Sequence, residues 1–396
     1  MANVINNNKP MMLVILLLLF FISEAFTTIA FKLFKLDFHN YSALIKGGFM
    51  GLAIVYGFLA LNTYRKHLML FLCLMSIFFI IGNYAFQSYV FGEKIAHNMV
   101  YFSRYMLVFT IVLVFVENKK LTTNKWVYFV FEKIVVFNSL LILLGVFFDI
   151  PLFKTYYNRF GYNGLFMSPS ISTYFYALSL VYFLNRYLTK KEKLFELVLV
   201  SLICFLTGAR ALTLYFCLTL IHLIWIKKWY LKRFFYVTVA FISTVIILLR
   251  QPIYEFLQKS FPGNFELYKQ DGLITALTSF RNLKLKENFL PLIQEKWNIW
   301  NYLFGGTDFV KYRVEFEIFD VFLFFGIAGT LLYLFYYFKF IFCFKTLSGF
   351  GKVQIVLILF TALLSGTFFN NAPIALYLLV VLSSLYIQTN STRNEI

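Results

Sequence analysis

About twelve apolar blocks, each close to the length of a membrane-spanning helix, follow one another along this chain with little polar sequence between them. A helix that crosses a bilayer needs roughly 20 mostly apolar residues. Cut at that length, the sequence yields Met11 to Ala30, Ser42 to Leu61, Leu68 to Phe86, Asn98 to Val116, Trp126 to Phe148, Ile171 to Leu188, Leu194 to Leu206, Leu212 to Ile226, Phe234 to Leu249, Phe319 to Phe340, Val353 to Phe368 and Ile374 to Gln388. The blocks are continuous rather than alternating, which predicts an all-α, polytopic transmembrane helix bundle of about twelve spans. Composition agrees, because a 396-residue chain that is 61% hydrophobic and 14% charged lacks the polar surface to solvate a globule. No polar module or linker interrupts the blocks, so residues 1–396 read as a single integral membrane domain. The first block is read as a span rather than a cleaved signal peptide. Its apolar run is long, only Lys9 precedes it, and no A-x-A site follows.

The net charge of +18 would suit nucleic acid if it were clustered on one face. Instead the basic residues sit between apolar blocks, where they orient helices during insertion. With the amino terminus cytoplasmic, alternating loops put Arg65, Lys66, Lys119, Lys120, Lys125, Arg186, Lys190, Lys191, Lys193, Lys227, Lys228, Lys232, Arg233, Lys339, Lys345 and Lys352 inside. The opposite short loops hold only Lys32, Lys35, Lys94, Lys154, Arg159 and Arg210. This asymmetry predicts that both termini are cytoplasmic. Cys73, Cys204, Cys217 and Cys343 lie in apolar segments without paired spacing and read as small core residues.

Two outer segments stand out. One runs from Asp149 to Ser170; the other, the longest polar stretch, occupies about 250–318 between the ninth and tenth spans. Trp297, Trp300, Tyr302 and the apolar run from Phe289 to Ile293 predict that the second forms helices lying on the membrane surface. Within or beside spans, Glu24, Lys46, Arg104, Glu132 and Lys133 each need a partner or a cavity. Glu132, Lys133 and Lys46 lie near span ends and can reach outward, whereas Arg104 is the strongest candidate for function.

The stretch from Leu206 to Leu212 breaks two short spans at the outer face. Gly208 lets the backbone leave helical geometry, and such a break at membrane depth is tolerated where it lines a cavity. Arg210 then points into that cavity, or else anchors a tight helical hairpin at the interface.

Thr207-Gly208-Ala209-Arg210 resembles the T-G-S-R element of bacterial O-antigen polymerases and the related O-antigen ligases, with Ala209 in place of the usual Ser. Further similar motifs follow the family's order. Arg159-Phe160-Gly161 and Met167-Ser168-Pro169-Ser170 resemble its R-x-G and S-P-N pattern, Ser170 departing from Asn. Ser279-Phe280-Arg281 resembles S-G-R, and Leu303-Phe304-Gly305-Gly306 the F-G-x-G turn. Last come the acidic run from Val314 to Asp320 and Phe325-Gly326-Ile327-Ala328-Gly329, similar to an F-G-x-x-G helix start.

The resemblance implies a glycosyltransferase that polymerises undecaprenyl-diphosphate-linked oligosaccharide repeat units at the periplasmic face of the bacterial inner membrane, without a nucleotide sugar. It also implies working partners, a flippase and a chain-length regulator. A diphosphate leaving group needs fixed cations, for which Arg159, Arg210 and Arg281 are the candidates. An attacking sugar hydroxyl benefits from a general base, for which Glu315, Glu317 and Asp320 are available. Those acids can equally cap a helix amino terminus. The ligases carry a functional His in the large outer loop, whereas His39, His67, His97 and His222 all lie outside it. From another class, a lipid-linked oligosaccharide flippase would keep its essential residues in a central cavity around Glu24, Lys46 and Arg104. The sequence has no Walker A element, dinucleotide fingerprint or metal-binding cluster, so no cofactor and no metal are expected.

Overall fold

The computed structural model describes residues 2–36, 39–86, 93–117, 120–121, 124–156, 160–260, 268–269, 272, 275, 278–342 and 347–393. Lys119, Arg159, Cys343 and Lys345 lie outside them. Each of the twelve apolar segments is helical. In chain order the helices are α1 Ala2–Phe34, α2 His39–Leu59, α3 Thr63–Phe86, α4 Glu93–Phe115, α5 Lys125–Phe148, α6 Pro169–Lys190, α7 Leu194–Leu206, α8 Arg210–Ile226 and α9 Arg233–Leu248. After the 250–318 segment come α14 Glu317–Tyr337, α15 Gly349–Ser365 and α16 Ala372–Arg393. Among the described residues the only strands are a two-residue antiparallel ladder, Val116–Glu117 against Lys120–Leu121.

Six helical stretches are long and apolar enough to cross a membrane: Asn8–Phe34, Ser42–Leu59, Thr63–Phe86, Ile95–Phe115, Lys125–Phe148 and Glu317–Phe342. Helices α7, α8, α9, α15 and the apolar part of α16 are shorter. At 13 residues, α7 rises about 20 Å against a hydrocarbon core of about 30 Å.

Helix α6 explains itself by its surroundings. Every residue from Ile171 to Asn185 is buried, Tyr174, Tyr176, Tyr182, Ser172 and Ser179 among them. A helix enclosed by protein on all sides has no face to match to lipid, so its polar groups can bond to neighbours instead. Ser168 caps it, with Pro169 at the first helical position, and it packs against α7 and α16. Between α8 and α15, Gln354 accepts hydrogen bonds from Tyr215 (2.6 Å) and Thr219 (3.0 Å) and meets His222 at 2.9 Å.

Glu132 does not reach outward. Its carboxylate is buried, accepting from the Tyr182 hydroxyl (2.7 Å) and pairing with Lys193 (2.9 Å), because α5, α6 and α7 bring their ends together there. Lys133 does lie exposed, its ammonium over the Phe129 ring.

The 250–318 segment contributes α10 Arg250–Ser260, α11 Arg281–Lys284, π-helical turns at 285–289 and 292–296, α12 Ile299–Phe304 and α13 Phe309–Tyr312. These short helices do not simply float at an interface. Phe289, Leu292, Trp297 and Val314 build a small second core with Leu323 of α14, whereas Trp300 keeps its ring largely exposed. The attachment is locked by glycine. Helix α14 breaks at Gly326 (φ 65°, ψ −172°), and the Leu303–Gly306 turn crosses at that break. A Cβ on Gly305 would sit 2.5 Å from the Phe324 carbonyl carbon, and one on Gly82 of α3 would sit 2.6 Å from the Phe304 oxygen. Asn301 reinforces the crossing by donating to both Gly82 (3.0 Å) and Gly305 (2.8 Å) carbonyls.

Candidate functional site

The amino-terminal ends of α2, α4, α6 and α16 meet the carboxyl-terminal part of α1 around a cavity of about 310 Å³. That volume is at the small end of ligand pockets, which run from ~300 to 1,000 Å³. Glu24, Lys46, Arg104, Ser168, Ser170 and Arg313 are among its lining residues, with Asn370 and Asn371 from the loop before α16.

Burying a charge demands compensation, which Glu24 and Lys46 give each other, whereas Arg313 is half-buried and Arg104 exposed. The Glu24 carboxylate accepts from Ser42 (2.8 Å) and forms an ion pair with Lys46, both through Oε1. The Arg104 guanidinium lies over the Tyr101 ring, 5.0 Å from its centroid. Arg313 donates to the hydroxyl of the same tyrosine at 3.3 Å, so Tyr101 holds two arginines at one wall. Ser168 and Ser170, the S-P-S motif, share a 2.7 Å hydrogen bond at the α6 cap.

Arg313 also reaches beyond the cavity. Its other Nη lies 3.6 Å from Glu315, which in addition pairs with Lys284 (2.9 Å) and Arg281 (3.6 Å). One carboxylate thus serves three cations. Burial raises the Glu315 carboxyl, but Lys284, Arg313 and Arg281 together outweigh it and hold it below the ordinary glutamate value. Its backbone is left-handed (φ 67°), fixed by a close crossing with Gly366, where a Cβ would lie 2.6 Å from the Glu315 carbonyl carbon. Arg281 further donates to the Leu364 carbonyl at 3.4 Å, and its Nε is buried without a hydrogen-bond partner.

The other two candidate acids are engaged with backbone. Glu317 is buried and accepts the N–H groups of Phe368 (2.7 Å) and Phe369 (2.9 Å). Asp320, also buried, accepts from Val314 (2.8 Å) and Glu315 (3.1 Å). Both carboxylates shape the loops that border the cavity, and neither lines it.

The T-G-A-R and R-F-G motifs do come together. Gly208 (φ 64°) turns the chain between α7 and α8, Tyr162 donates its N–H to the Leu206 carbonyl (3.0 Å), and a Cβ on Gly208 would sit 2.9 Å from Gly161. Arg210, half-buried, opens α8 at this knot, while Arg159 of the same pair of motifs lies outside the described residues. Neither Arg210 nor Arg281 is among the described residues lining the cavity. The L-F-G-G and F-G-x-x-G motifs meet as well, at the crossing of Gly305 and Gly326.

Arg313 and Tyr101 carry no sequence motif and escaped the reading from sequence. The available signal was that Arg313 stands two residues before Glu315 and Tyr101 precedes Arg104 by three, one helical turn. No group of His, Cys, Asp and Glu among the described residues is arranged to hold a metal ion. No family model, no curated protein and no solved structure matches this chain, whose site is therefore defined by its own geometry.

Proposed function

We propose that this chain is a membrane glycosyltransferase that polymerises undecaprenyl-diphosphate-linked oligosaccharide repeat units, of O-antigen or of a capsule or exopolysaccharide, in the bacterial inner membrane. In this reading all twelve apolar helices traverse the bilayer, both termini are cytoplasmic, and the 250–318 segment is periplasmic.

The observation that carries the proposal is the chain of cations running from Lys46 and Arg104 through Arg313 to Arg281 and Lys284, with Glu24 and Glu315 paired against it. A diphosphate that departs with two electrons from a sugar's anomeric carbon needs such a field. The acceptor hydroxyl attacks that carbon, the glycosidic bond forms, and the proton passes to a carboxylate. Of the three acids named from sequence, Glu315 best fits the role because it alone keeps partial access, with 26% of its side chain exposed. Its lowered pKa keeps it ionised, and weakens it as a base for as long as Lys284, Arg313 and Arg281 hold it. Arg210, beside the Gly161–Gly208 knot, and Arg159, which lies outside the described residues, remain the second cationic group assigned to the substrate. The expected partners are the flippase that delivers the lipid-linked unit and a chain-length regulator.

A second reading, a flippase for the same lipid, draws support from Glu24, Lys46 and Arg104 sharing one cavity. A ligase that transfers finished glycan to lipid A-core is the third. One experiment separates them: the lipopolysaccharide banding of a bacterial strain lacking this gene. A single repeat unit on core supports the polymerase, bare core points to flippase or ligase, and an unchanged pattern moves the search to capsule.

A further inference from the structure

Three cations converge at one cavity wall without enough carboxylate to neutralise them. Lys46 spends two of its three donors on Glu24 and Ser42. Arg104 has no carboxylate partner among the described residues, only the face of Tyr101. Arg313 shares Glu315 with two competitors. Like charges held close together repel one another, and Tyr101 keeps two of them side by side at the open wall of the cavity. We infer that Lys46, Arg104 and Arg313 bind the phosphate groups of a polyprenyl-diphosphate lipid, which enters along α2. This site deepens the reading above and rests on it for the identity of the lipid, but its residues differ from the arginines of the sequence motifs.

The route of entry comes from α2. Only 17% of its apolar window is buried, far less than in the other long helices, and Leu44 and Leu52 are 68% and 74% exposed. Gly47 belongs to the cavity wall, and Gly47, Gly48 and Gly51 have open space where a side chain would begin. An isoprenoid tail can lie in that strip against apolar side chains while its headgroup turns inward to Lys46. Ser168 and Ser170 supply hydroxyls on the facing wall. A soluble phosphate would gain nothing from the apolar strip, which is why the lipid-borne anion is the occupant the structure favours.

The test is direct binding by the full chain in phosphatidylcholine nanodiscs, with undecaprenyl diphosphate, undecaprenol and inorganic pyrophosphate as separate probes. The expected result is tight retention of the diphosphate lipid, weak retention of undecaprenol, and partial competition by pyrophosphate. Arg104→Ala lowers affinity for the diphosphate lipid about tenfold or more, the loss of one charge-assisted contact. Because Lys46→Met alone would strand the Glu24 charge, the paired Lys46→Met/Glu24→Gln variant supplies a second arm, with the same expected loss. Gly51→Leu fills the strip and weakens lipid binding while leaving pyrophosphate binding unchanged. Wild-type affinity in both Arg104→Ala and the paired variant overturns the site, equal retention of undecaprenol overturns the phosphate assignment, and binding of pyrophosphate without the lipid overturns entry along α2. Chain that binds as expected but restores no glycan ladder keeps this site and removes the polymerase reading. A ladder restored by variants that bind like wild type does the reverse.

Discussion

Glu317 accepts the backbone N–H of Phe368 at 2.7 Å, tying the first turn of α14 to the turn that joins α15 to α16. The second oxygen takes Phe369, so a single side chain positions the loop from which Asn370 and Asn371 reach the cavity.

Glu317→Gln keeps one acceptor and turns an amide NH₂ toward the other N–H. The expected cost is about 1–3 kcal/mol, that of a buried donor left unpaired, seen as a lower thermal midpoint in detergent micelles. Asp320→Asn should cost less, because its Oδ1 can still accept from Val314. An unchanged midpoint combined with loss of the glycan ladder would instead make Glu317 the proton acceptor.

Glycine substitutions should divide sharply by site. Gly305→Ala and Gly326→Ala meet backbone on the far side of the crossing and also require left-handed geometry of an L side chain. Each is expected to cost about 3 kcal/mol or more and to reduce the folded yield from membranes. Gly48→Ala, in open space within α2, should leave yield unchanged and gain up to roughly 1 kcal/mol of helix preference. Fluorescence size-exclusion profiles of the three variants read both effects, and equal yields for all three would contradict the crossing.

The Glu315 cluster predicts an acid-sensitive contribution with a definite sign. A carboxyl held below its ordinary value of 4.5 stabilises the folded state above that pH, and the contribution disappears as pH falls through the lowered folded value. The stability difference between wild type and Glu315→Gln should therefore be constant from pH 8 to the ordinary value and shrink only below it. Differential scanning fluorimetry across an acid series tests this; a difference that already fades near neutrality would mean that Lys284, Arg313 and Arg281 do not hold the carboxylate.

Orientation has its own test. Reporter fusions at Lys190 and Lys345 should read cytoplasmic and a fusion near Lys284 periplasmic. A cytoplasmic signal at Lys284 would put Arg281 and Glu315 in the wrong compartment for lipid-linked glycan chemistry.

Helix positions were legible because each apolar block must bury its backbone groups internally wherever it sits. Motif pairs were legible as glycines, but not their use: nothing in Leu303-Phe304-Gly305-Gly306 announces that Gly82 and Gly326, distant in sequence, are the surfaces it must approach. The same holds for the acids. Local sequence identified Glu317 and Asp320 as carboxylates at a helix start, but their bonds to Phe368 and Val314 depend on how loops fold against each other. Glu24, Lys46 and Arg104 were visible individually as charges that lipid would not tolerate. Their meeting with Arg313 was not, since that contact joins the first third of the chain to the last.

The enclosure of α6 bears on how the protein is made. Its buried surface is completed by α16, which is synthesised long after α6, and residues Ala372 to Leu385 of α16 are themselves buried. While synthesis proceeds from the amino terminus, α6 is made with its tyrosines and serines unmatched by their final neighbour. The centre of this bundle is thus completed only once α16 is made, and a chain that stops short of α16 loses the middle of the protein rather than its edge.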